Sequence, residues 1–190
     1  MRNSRIRILA EMGLTIALFA ILQAIPAFKM PYGGSVSLAM VPIVILALLR
    51  GPVVGVICGA LCGVVDLMFE PYLFHPAQVV LDYPLAYALV GFSGLLSTFF
   101  KKSMQEGKKL LSLLTIGGAV AIGVTSRLLS HVLSGVIFFS EYAPETQNVW
   151  LYSLIYNGTY LLPSLIAVAA VALVVVPILY KNLDWGNDKN

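Results

Sequence analysis

Charge in this chain is confined to a few short stretches, and the runs between them are apolar and of helical length. That spacing constrains the fold more than any motif does, because an apolar run of about 20 residues is what a helix needs to cross a bilayer. Only 11% of the 190 residues are charged, 59% are hydrophobic and the mean hydropathy is +0.89. A soluble domain carries about 25% charged residues. The chain therefore reads as an all-α membrane protein, a single integral membrane domain over residues 1–190.

Six transmembrane helices are predicted, over residues 6–27, 36–49, 52–69, 76–100, 110–139 and 150–180. The second is short for a perpendicular crossing. Part of PYGGSVS is therefore expected at membrane depth, since irregular backbone there must be buried or line a cavity. Only MRNSR precedes the first helix, Glu11 lies inside it, and no small-residue cleavage site stands out, so it reads as a retained helix. With both termini cytoplasmic, Arg2, Arg5, Arg7, Arg50, Lys101, Lys102, Lys108, Lys109, Lys181 and Lys189 fall inside. Lys29 alone falls outside and Arg127 lies within a span, a distribution that follows the positive-inside rule. The turn with Glu141 and Glu145 and the EPYLFHP turn then face outward. Basic residues in such a chain report orientation, so the net charge of +3 carries no nucleic-acid signal. Cys58 and Cys62 lie in an apolar run and read as packing residues, with neither a disulfide framework nor a metal site supported.

Gly51, Gly55, Gly59 and Gly63 recur every fourth residue and form a smooth stripe on which another helix can approach closely. Gly13 and Ala17 make a similar pair on the first helix, open to an internal contact or to a partner protein.

Depth along the spans gathers the polar residues. At about 1.5 Å per residue, Asp82, His131 and Asn157 lie roughly 9, 13 and 10 Å below the outer boundary on three different helices. An aspartate near a helix centre costs about 2.5 to 3.5 kcal/mol on insertion scales, so such residues mark sites. Asp82 is open to two roles, countering a bound cation or pairing with Arg127, for which Asp66 is a second acidic candidate. His131 could equally serve a neighbouring helix or a ligand. Tyr83, Phe138, Phe139, Tyr152 and Tyr156 add aromatic faces near the same level, and Trp150 reads as an interfacial anchor. A carboxylate, an amide, hydroxyls and rings together suit a flat heteroaromatic cation. No catalytic set, phosphate loop or cofactor motif emerges, so the chain is not read as an enzyme.

The order MPYGGSVSLAMVPI, LLRGPVVG, HPAQVVLDYPLAYALVGFSGLL, SHVLSGVIFFSEYAP and WLYSLIYNGTYLLP resembles the ThiT (YuaJ) family across almost the whole chain. These are thiamine-specific substrate-binding subunits, or S components, of bacterial energy-coupling factor (ECF) transporters. The resemblance implies six helices, a thiamine site near the outer face of the cell membrane, and no ATPase in this chain. Import would depend on a transmembrane coupling subunit and two ATP-binding subunits. By position, the family's acidic residue and tyrosine match Asp82 and Tyr83, its histidine matches His131, and its tyrosine and asparagine match Tyr152 and Asn157. Its small-residue motif on helix one, which contacts the coupling subunit, falls on Gly13 and Ala17.

The chain departs from the pattern in carrying Phe139 where some members have a stacking tryptophan, in lacking another tryptophan near Tyr32 and Gly33, and in having Asp82 for glutamate. Weaker stacking with the same ligand class is expected. An S component for another vitamin or for a precursor such as hydroxymethylpyrimidine is the related alternative, and a small membrane enzyme or channel is the alternative from another class. The loop 28–35 is either a lid or a static turn.

Overall fold

Helices form where the apolar runs fall, but two of the six are too short to cross a membrane. The computed structural model describes residues 2–31, 34–69 and 71–182, leaving Tyr32, Gly33 and Lys189 of the expectations above outside the described residues. Helix α1 spans Arg2–Ala24. A two-stranded antiparallel hairpin follows, β1 Phe28–Lys29 and β2 Ser35–Val36, with Phe28 opposite Val36. The remaining helices are α2 Met40–Arg50, α3 Pro52–Asp66, α4 Pro76–Gln105, α5 Lys109–Phe138 and α6 Val149–Asn182.

The candidate spans among the described residues are four, Arg5–Ala24, Pro76–Gln105, Lys109–Phe138 and Val149–Asn182, and this corrects the expected six. Helices α2 and α3 have 11 and 15 residues, roughly 16 and 22 Å at 1.5 Å per residue, against a hydrocarbon core of about 30 Å. Both are shortened by their boundaries. The hairpin occupies residues 28–36, the Ser37 hydroxyl accepts the Ala39 N–H at 3.2 Å, and α2 begins only at Met40. At the other end Gly51 takes a positive φ of 93°, a turn open to glycine, and Pro52 starts α3 at once. Nine of the 11 residues of α2 are buried, which is the pattern of a helix wrapped by protein on all sides. Composition alone did not separate such a helix from a lipid-facing one.

The α2–α3 bend is pinned to α1 by charge. Arg50 donates from Nε and Nη2 to the two carboxylate oxygens of Glu11 at 2.7 and 2.8 Å, and Arg7 Nε adds a third bond at 3.1 Å. This paired geometry gives a charged group inside α1 its partner.

The glycine stripe is internal. Methyl groups at Gly55, Gly59 and Gly63 would run into the α4 backbone at Gly91, Tyr87 and Tyr83, while Gly51 serves the turn. Where α3 presses on it, α4 widens into a π-helical turn at Leu81–Leu85 around Pro84, which has no N–H to give the helical ladder. Asp82 and Tyr83 sit on that turn and both face inward. Cys58 and Cys62 are fully buried on α3, as packing residues. Helices α5 and α6 lie along one another, tied by the Ser153 hydroxyl to the Val132 carbonyl at 3.0 Å.

Gly59→Ala and Gly63→Ala are expected to cost about 1 to 3 kcal/mol, as overpacking does, read as a lower melting temperature in detergent. Gly117→Ala, whose added methyl meets nothing, should be neutral or stabilising.

Candidate ligand-binding site

The polar residues of α4, α5 and α6 meet in a cavity of about 330 Å³ at one end of the bundle. All six residues expected to contact a ligand line it: Asp82, Tyr83, His131, Phe139, Tyr152 and Asn157. The lysines of the α4–α5 turn and Lys181 of α6 lie at the opposite end of these helices. Gly13 and Ala17 do not line the cavity; both are exposed on α1, and a methyl at Gly13 would meet nothing of this chain.

Asp82 is the hub. One carboxylate oxygen is 3.0 Å from His131 Nδ1; the other accepts from Ser134 Oγ at 2.9 Å and from Gln78 Nε2 at 2.7 Å. The ring orientation follows from Arg127, whose Nε–H donates to His131 Nε2 at 3.1 Å. With Nε2 accepting, the histidine is neutral, carries its proton on Nδ1 and donates it to Asp82. The alternatives left open for Arg127 thus resolve into a relay: the guanidinium reaches Asp82 through His131. Among the described residues it forms no ion pair with either aspartate. Its planar group also lies over Tyr87, 3.9 Å from the ring centre.

Gln78, which sequence reasoning missed, extends the hub outward. It is buried, donates to the Tyr72 carbonyl at 3.1 Å as well as to Asp82, and accepts the Phe74 N–H at 3.0 Å. Tyr83 holds the same loop, its hydroxyl taking the Tyr72 N–H at 2.7 Å. The helical spacing of Gln78 and Asp82, four residues apart, was the available signal. Ser134 lay three residues after His131 on the same face and was legible in the same way.

Aromatic rings close the outer rim and one wall. Phe139 packs at 5.6 to 5.7 Å from Phe74 and Tyr72 and at 6.1 Å from Tyr142, and the hydroxyls of Tyr72 and Tyr142 meet at 3.2 Å. Tyr152, Tyr156 and Tyr160 form a row down α6, with centroids 6.3 and 6.4 Å apart. Asn157 is spent mostly within the protein: its amide nitrogen bonds the Ser153 and His131 carbonyls at 2.9 and 3.4 Å, and its oxygen accepts from Tyr160 at 2.6 Å. The hairpin comes down onto this row. Gly34 has a φ of 91°, and a Cβ there would lie 2.6 Å from the Tyr160 ring, so the irregular backbone expected at depth does line the cavity.

A bundle of membrane helices with a polar, ring-lined cavity at one end defines a multi-pass membrane protein with a one-sided binding site. The chain belongs to the family described as thiamine transporter protein (Thia_YuaJ), whose model matches residues 9–184. It is a family of transporters, not of enzymes, and its relatives below place it in bacterial membranes. Thiamine transporter ThiT of Bacillus subtilis is 37% identical over 166 residues, covering 86% of each chain. Its counterpart in Lacticaseibacillus paracasei is 32% identical over 184 residues, covering 93% of this chain and 89% of that protein. A solved structure of ThiT from Listeria monocytogenes superposes with a TM-score of 0.79 at 28% identity, over 94% of this chain and 96% of that one. The S-component for biotin from an ECF-type ABC transporter, at 21% identity and a TM-score of 0.66 over 95% and 94% of the two chains, shares the fold.

Gln78→Leu removes three hydrogen bonds at once and should release the 71–75 loop. Faster amide exchange at Tyr72 and Phe74, with about 1 to 3 kcal/mol lost in stability, is the expected result.

Proposed function

We propose that this chain is the thiamine-binding S component of an ECF-type transporter, capturing thiamine on the outer side of the membrane for import. The observation that carries this reading is the buried charge of the cavity. Its helices bring two carboxylates, Asp66 and Asp82, against one guanidinium, Arg127, with His131 neutral; Lys29 stands at the exposed rim. At formal charge the two carboxylates are balanced by Arg127 and Lys29, so what a cationic ligand would meet is local, the Asp82 carboxylate held in place by Gln78, Ser134 and His131. Thiamine is a monocation of two flat heteroaromatic rings joined by a methylene, and the two relatives above 30% identity carry its name.

In this reading Asp82 faces the cationic end or the aminopyrimidine, with Gln78, Ser134 and His131 fixing its direction. Tyr152 and Asn157 serve the pyrimidine edge, while Tyr83 and Phe139 supply contact faces. The cavity lies at the end opposite the lysine-rich turns, which supports an outward-facing site under the positive-inside rule. Accumulation against a gradient then falls to partners, a membrane coupling subunit and two ATP-binding subunits. The exposed Gly13–Ala17 face of α1 fits the place where a partner helix would approach closely.

Calorimetry on the purified chain in detergent tests the ligand, with the isolated pyrimidine and thiazole halves as competitors. Tight binding of thiamine is expected, and Asp82→Ala should weaken it on the order of 2 to 5 kcal/mol, as when a buried charge loses its partner. Unchanged affinity in that variant would refute the role of Asp82. Replacing Gly13 or Ala17 with Leu should abolish uptake in cells expressing the whole transporter while sparing binding; loss of both activities would point to misfolding.

A further inference from the structure

Ser130 and Ser134 lie one turn apart on α5 and hold consecutive residues of α4. Ser134 Oγ donates to the Asp82 carboxylate at 2.9 Å, and Ser130 Oγ donates to the Leu81 backbone carbonyl at 2.7 Å. One hydroxyl therefore orients the acidic side chain and the other fixes the main chain that carries it. Ser130 is 5% exposed and does not line the cavity, so any effect it has on a ligand passes through its neighbours.

Leu81 opens the π-helical turn, whose backbone ladder is already interrupted at Pro84. On the α3 side the turn is stopped by close backbone contact, since a Cβ at Gly63 would run into the Tyr83 carbonyl and Pro84. On the α5 side Ser130 draws it in. A turn held from both sides stands at a fixed distance from α5, and that distance decides whether His131 Nδ1 and Ser134 Oγ, 3.0 and 2.9 Å from Asp82, stay within hydrogen-bond reach. Gln78, the other donor to Asp82, does not set that distance, because it belongs to α4 itself. We infer that Ser130 is a positioning residue for ligand binding: its bond to Leu81 sets where Asp82 stands against His131 and Ser134. The inference rests on the thiamine reading above for its ligand and assigns Ser130 no contact with it.

Two measurements on the purified chain in detergent test it. By calorimetry, Ser130→Ala should weaken thiamine binding about 3-fold to 20-fold, the range of an interhelical side-chain hydrogen bond in a membrane bundle. Ser130→Thr, which keeps the hydroxyl, should recover most of that loss. In an Asp82→Ala background the same Ser130→Ala change should have almost no effect, because residues that act as a unit are not additive. Ser103→Ala, which removes a buried hydroxyl bonded within its own helix, should leave binding unchanged. The second measurement needs no ligand. The chain has two histidines, and with their ring nitrogens isotope-labelled the His131 Nδ1 resonance should move in Ser130→Ala toward that of an imidazole without a carboxylate partner. Wild-type affinity in Ser130→Ala, equal weakening by Ala and Thr, or one factor with and without Asp82 would make Ser130 a packing residue and overturn the inference, and so would an unmoved His131 resonance. If folded wild type binds no thiamine, the thiamine reading falls, and the resonance alone decides the role of Ser130.

Discussion

A carboxylate sunk into a helical bundle gives up much of its hydration, and the protein must supply hydrogen-bond donors in its place. The organisation around Asp82 follows from that requirement. Three donors come from two helices, and the orientation of one of them, His131, is fixed by a cation a turn deeper. For those donors to converge, α4 must present Gln78, Asp82 and Tyr83 together, which its π-helical turn permits. That turn in turn lies against Gly63 of α3, where a side chain would displace it. Backbone contact between α3 and α4 is therefore part of the site, although no glycine of the stripe touches the carboxylate.

Much of the site was legible because depth is a one-dimensional quantity. Counting along three helices placed Asp82, His131 and Asn157 at one level, and they do converge. What a depth count does not give is azimuth. Gln78 and Ser134 share the faces of Asp82 and His131, but uncharged side chains that make a carboxylate tolerable do not stand out from their apolar neighbours as the carboxylate does. Asn157 lines the cavity, and its amide also joins α6 to α5 through the His131 carbonyl. The span count failed for a related reason. A helix buried by protein and one buried by lipid are equally apolar, so α2 looked like a crossing until its boundaries at Ser37 and Gly51 were located in space.

Of the departures from the family pattern, Phe139 falls on the outer rim and Asp82 at the hub. Phe139 has Tyr72, Phe74 and Tyr142 around it, so the smaller ring sits within a cluster and does not stand alone as a stacking plate. The rim gains rigidity from the contact between the Tyr72 and Tyr142 hydroxyls, and through Gln78 and Tyr83 the same loop is tied to the hub. Ring area at the mouth and charge in the interior are therefore mechanically joined.

The charges that line the cavity have an electrical consequence. Asp66 and Asp82 stand against Arg127 and Lys29, so the empty lining is formally neutral and a bound monocation would leave it with one positive charge. Carrying one elementary charge across 100 mV involves about 2.3 kcal/mol, so a shift of the filled cavity along the membrane normal would feel the voltage through its ligand. Occupancy would then decide whether such a shift couples to the field.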